Sequence, residues 1–126
     1  MVRTDILSRP FEDCLQAASQ ARRMGNAQQS LALLERAHVI GQARLGWHWR
    51  VHCRMLALAL SRADPKESGG QLLRLALVPL GHLTGRLPRG NLGSTRMGIF
   101  DTAPLPDDLE VLQTPAAGFA PQDKKR

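Results

Sequence analysis

Four side chains in the middle of this chain carry ligand chemistry at helical spacing. Glu35 and His38 form an E-x-x-H, and His48 and His52 follow as an H-x-x-x-H. On a helix, residues three or four apart share a face, so each pair can direct two donor groups the same way. Three of the chain's four histidines lie in this stretch. Three imidazoles and one carboxylate suit zinc, iron, nickel or copper better than magnesium or calcium, which prefer all-oxygen shells. The pattern therefore points to a transition-metal site. An ordinary alternative stands beside it, in which the histidines pack and hydrogen-bond and Glu35 pairs with an arginine.

For the four groups to meet, their two helices must fold back on each other. In an antiparallel hairpin turning near residue 43, His38 faces His48 and Glu35 faces His52. The two levels are about 5 Å apart along the axis, one helical turn. Helix axes packed roughly 8–10 Å apart leave room for inward side chains to share one ion. A preceding hairpin, turning near Gly25-Asn26, brings Cys14 level with His38. Cys14 lies on the apolar stripe with Phe11, Leu15 and Ala18, so it is a fifth candidate ligand. Met55 follows His52 by three residues and faces similarly.

Local signals place four helices. Ser8 reads as an N-cap with Pro10 in the opening turn, and the helix ends at Met24 with Gly25 as its C′ residue. Asn26 caps the second, with Gln29 in the capping-box position, and Gly41 stops it. The third starts between Ala43 and Gly46 and runs to about Arg62. Asp64-Pro65-Lys66-Glu67 combines an N-cap, a proline at the first helical position and a capping-box glutamate, the strongest start signal in the chain. Pro79 should kink or end that fourth helix. Glycines and prolines beyond Gly81 break any long periodicity, and no strand alternation competes.

The expected fold is all-α: four helices in two tetratricopeptide-like hairpins over residues 1–83. An extended Gly/Pro-rich C-terminal arm over residues 84–126 would pack on the helices, with a short helix at Asp107–Gln113 and an unordered end at 122–126. Two hairpin units are fewer than a solenoid needs.

Bulk properties narrow the function classes. The length of 126 residues fits one domain, and aromatic residues are only 4%, so the core rests on aliphatic side chains. Two cysteines, Cys14 and Cys53, make no disulfide framework. The longest apolar runs are far short of the roughly 20 residues that span a bilayer. The opening residues lead into no apolar signal stretch, so a cytoplasmic location is expected. The net charge of +6 is uneven, with a basic body and an acidic tail. That balance suits an acidic protein partner. Nucleic-acid binding is disfavoured, because no recognition motif accompanies the charge. The stretch from Gly90 to Arg96 follows no strand and lacks the Gly-Lys-Ser/Thr ending of a phosphate loop.

Several segments together resemble a small bacterial helical family catalogued only as a domain of unknown function. They are Leu34-Glu35-Arg36-Ala37-His38 with Gly41-Gln42, His48 and His52, then Gly70-Gln71-Leu72-Leu73-Arg74, then Gly90-Asn91 with Gly93. The likeness spans roughly residues 10–110. It implies a single helical domain in which Glu35, His38, His48 and His52 belong to the pattern, and it implies no established activity. Leu92 and Ser94 stand where a richer Gly-Asn-Thr-Gly-Gly arm is expected.

The function expected from these residues is a metal-binding accessory protein for sequestration, delivery or sensing. The alternative is a helical-repeat-like interaction module with a basic face and no metal. Catalysis ranks last, since no acid, base or nucleophile stands out beyond the ligands.

Overall fold

Aliphatic residues at helical spacing, punctuated by caps, give five helices in the computed structural model, which describes residues 2–113. Of residues 2–5 and 111–113 only the backbone is described, and the expected unordered end at 122–126 lies outside the described residues. The helices are α1 (Val2–Arg23), α2 (Ala27–Gly41), α3 (Leu45–Ser61), α4 (Pro65–Thr84) and α5 (Asp107–Gln113). No strand occurs among the described residues. Consecutive helices pack on one another, α1 on α2, α2 on α3 and α3 on α4.

Two caps act as their residues predict. The Asn26 side chain accepts from the Gln29 backbone N–H at 3.1 Å, and Asp64 accepts from that of Glu67 at 3.0 Å. Each satisfies a donor that the first helical turn leaves without a partner. The start of α1 differs from expectation. The helix begins at Val2, so Pro10 sits inside it and Ser8 is no cap. Burial of Leu7 and Phe11 in the core holds this extra turn despite the hydrogen bond Pro10 forgoes. Pro79 likewise fails to end α4, which continues to Thr84 and stops at Gly85 with φ +69°.

The core lies where α1, α2 and α3 meet. Phe11, Leu15, Ala37, Val51 and Met55 are essentially inaccessible there. Phe11 stacks on Trp47 with centroids 4.6 Å apart, against the last turn of α2. A Cβ at Gly41 would lie 2.7 Å from the Phe11 ring, so only glycine admits the ring at that point. Arg50 grips the Glu12 carboxylate with both nitrogens, at 2.6 and 3.0 Å, and Arg54 donates to the Ser19 hydroxyl at 2.8 Å. These contacts tie α3 to α1 and set the rotation of the helix that carries His48 and His52.

The segment between α4 and α5 has no helix or strand, yet Gly90, Asn91, Gly93 and Ser94 within it are buried. Asn91 organises it. Its amide donates to the carbonyls of Gly98 and Asp101 at 2.8 and 2.7 Å and accepts from the Gly93 N–H at 2.8 Å. Leu109 anchors α5 in the core, and Arg36 pairs with Asp108. Among the described residues, no helix is long and apolar enough to cross a membrane.

Candidate metal centre

The α2–α3 hairpin brings His38, His48 and His52 together, each at most 4% exposed. The His38 Nε2 lies 2.9 Å from the His48 Nε2 and 3.1 Å from the His52 Nε2. One donor atom from each ring falls within 4.8 Å of the others. His38 meets each of the other two rings edge-on, at interplanar angles of 75° and 71°, so three nitrogens converge instead of three ring faces.

The outer nitrogens determine the tautomers. The His38 Nδ1 is 2.7 Å from the Asn91 carbonyl oxygen, which can only accept, so Nδ1 carries the proton. The His52 Nδ1 faces the Gln71 side-chain oxygen at 2.6 Å. Gln71 cannot present its nitrogen there. That nitrogen already donates to the Glu67 carboxylate and the Gly93 carbonyl, both at 2.8 Å. The His52 Nδ1 therefore carries its proton too. Both rings then aim bare Nε2 lone pairs at each other across 3.1 Å. The His48 Nδ1 contacts the His82 Nε2 at 2.9 Å, and this pair can hold its proton on either side.

Burial also keeps the rings neutral. It pushes His48 from 6.5 down to about 3, helped by the neighbouring imidazoles. It pushes His52 down to about 4 and His38 well below the usual histidine range. In each case removal from water is the main cause, because it penalises the charged form. At neutral pH the Nε2 lone pairs of His38 and His52 are free to bind a cation, and that of His48 is free when its Nδ1 donates to His82.

Glu35 and Cys14, expected in the same shell, point elsewhere. One Glu35 oxygen accepts from the Ser94 hydroxyl at 2.9 Å and the other from Arg96 at 3.0 Å. Three residues rotate a helix by about 300°, leaving Glu35 roughly 60° around α2 from His38. The segment at Ser94–Arg96 occupies that side. Burial raises the Glu35 carboxyl against the opposing effect of Ser94 and Arg96. Cys14 packs in the core beside Arg36, and burial raises its thiol. Arg36 precedes His38 by about 200° of helix rotation, so Cys14 addresses the wrong flank of α2. Met55 sits nearby, its sulfur 3.4 Å from the Gln71 nitrogen.

Four contributors escaped the sequence reading. His82 partners His48. Gln71 orients His52, the Asn91 carbonyl orients His38, and Gly93 makes room for the His38 ring. The Glu67 carboxylate accepts from Gln71 and from the backbone and hydroxyl of Thr95, so a cap residue also holds the shell around His52.

An all-helical protein with a buried three-histidine cluster able to hold a metal ion is the class these features define. The chain belongs to a family described as protein of unknown function (DUF3703), whose model matches residues 6–112. No curated protein and no solved structure matches it.

Proposed function

We propose that this protein binds one transition-metal ion through the Nε2 atoms of His38, His48 and His52, and that it serves as an accessory protein that sequesters, delivers or senses the metal. The observation that carries the reading is the 3.1 Å approach of two Nε2 atoms whose protons are both held on the outer nitrogens. Lone pair facing lone pair in a buried site is repulsive, and a cation between them turns repulsion into coordination. Neutral imidazole donors favour zinc, iron, nickel or copper. Tetrahedral zinc–nitrogen bonds of 2.0–2.1 Å separate the nitrogens by about 3.3 Å, so the two short approaches at His38 need to open by only a few tenths of an ångström, with the His48 and His52 nitrogens meeting from within 4.8 Å. Outer-shell acceptors on each ring are the usual companions of metal-ligating histidine.

Three protein ligands leave a fourth position for water or a ligand, which an enzyme could also use. Among the described residues, those lining the cleft beside the cluster include no carboxylate, thiol or lysine, and this favours holding a metal over transforming a substrate. Titration of metal-stripped protein with zinc, nickel and copper should give one equivalent bound. His38→Ala and His48→Ala should each lower affinity by at least about a hundredfold, as loss of a direct ligand exceeds the 10–100-fold of an outer-shell change. If both variants bind as tightly as the wild type, the proposal is wrong.

A second reading has one observation in its favour. A groove between α1 and α3 is lined by Arg22, Arg23 and Arg54 with Glu12 as the acid, a basic surface for an acidic partner. Such binding would survive chelators and disappear in high salt, the reverse of metal-dependent behaviour.

A further inference from the structure

The histidine cluster opens onto an apolar cleft of about 580 Å³ between α4 and the segment that follows it. Leu77, Val78, Leu87 and Ile99 form its walls. Leu80 and Phe100 line it while remaining 54% and 81% exposed. Together with the apolar walls they make a contiguous exposed apolar patch, the kind of surface that marks a ligand-binding groove. The volume is in the range of small-molecule sites.

The charge at the floor selects the head of the molecule that fits. Three neutral imidazoles leave a divalent ion with both its charges. The Glu35 charge is paired with that of Arg96, and the Glu67 carboxylate, which does not line the cleft, acts on Arg74. The charged side chains lining the cleft are Arg74 and Arg86, both cationic. Arg74 is fixed at its place by the carbonyls of Ser94 and Met97, at 3.1 and 2.9 Å. The cleft is thus positive at its base and greasy along its length.

We infer that the cleft binds a small amphiphile with a carboxylate head, which takes the metal's fourth position while its hydrocarbon tail lies between α4 and Phe100. This rests on the metal reading above. Binding exchanges a metal-bound water for a carboxylate oxygen, with no change of oxidation state and no bond broken in the ligand.

Octanoate and acetate, titrated into zinc-loaded and zinc-free protein by calorimetry, test it. Octanoate should bind the zinc form about a hundredfold more tightly than acetate, because the added methylenes leave water. It should bind the zinc-free form at least about tenfold more weakly, because the head loses its anchor. A Leu80→Ser/Phe100→Ser variant, altered only at exposed positions, should keep its zinc affinity and lose most of the octanoate preference. Octanoate binding no tighter than acetate, or equally well without zinc, overturns the inference and leaves the metal site standing. Failure to bind zinc at all overturns both, so the two outcomes are separable.

Discussion

Gly93→Ala is the sharpest probe of how the cluster is held. Gly93 has φ +82° and packs directly on the His38 ring. A Cβ there would lie 2.4 Å from the ring's Cδ2 and 2.8 Å from its Nε2. Ordinary contact begins at 3.4 Å, so the ring or the backbone must yield by about an ångström. The left-handed backbone adds roughly 1–2 kcal/mol for a residue with a side chain. Neither partner is free to move. Gly93 is held by Gln71 and Asn91, and His38 by the Asn91 carbonyl. Displacing the His38 Nε2 by an ångström exceeds the tolerance of about 0.5 Å for a working ligand set. The expected result is a loss of roughly 2–4 kcal/mol in stability, from strain plus overpacking, and at least a tenfold loss of metal affinity. Urea unfolding of stripped protein and competitive metal titration measure the two separately. Gly46→Ala is the control, since nothing lies within 4 Å of its Cβ position and its backbone is helical. It should be neutral or slightly stabilising. If Gly93→Ala unfolds and binds metal like Gly46→Ala, the packing argument for His38 fails.

Further outcomes follow from the same contacts. His48 and His52, lowered by burial to about 3 and about 4, and His38, lowered well below 6.5, stay neutral in the fold while the unfolded chain takes up protons below 6.5. Stability of the stripped protein is therefore complete above pH 6.5 and declines as pH falls, by roughly 5 kcal/mol in all between pH 6.5 and 5 for three such groups. Glu35, raised by burial, works in the opposite sense at lower pH; a urea midpoint that stays flat from pH 7 to 5 contradicts the buried neutral cluster. Gln71→Leu removes the acceptor from His52 and should lower metal affinity about 10–100-fold without touching a ligand, measured by chelator competition. Asp64→Ala removes only the α4 cap and should cost about 1 kcal/mol in denaturant unfolding with metal binding unchanged.

Short-range sequence signals worked where the physics is short-range. Asn26 and Asp64 satisfy donors three residues away, so their caps could be read from neighbouring letters. The meeting of His38 with His48 and His52 followed from one hairpin turn and the helical repeat. Pro10 and Pro79 misled because a proline's local penalty is outweighed by tertiary burial, as Leu7 and Phe11 show at the start of α1. Glu35 turns to Ser94 and Arg96 and Cys14 to Arg36, because the angle at which a side chain leaves its helix is decided by what packs alongside.

The sequence by itself determined that the chain is helical, where α2 and α4 begin, and that three imidazoles come level in one hairpin. Only the tertiary structure decided which nitrogens are bare, because the groups that hold the protons outward lie 19 residues from His52 at Gln71 and 53 from His38 at Asn91. It alone turned Glu35 toward Ser94, enlisted His82 and brought Gly93 against His38. Caps and helical faces are settled within a few residues by backbone geometry, whereas side-chain partners across the fold depend on how the segment after α4 lies over the hairpin.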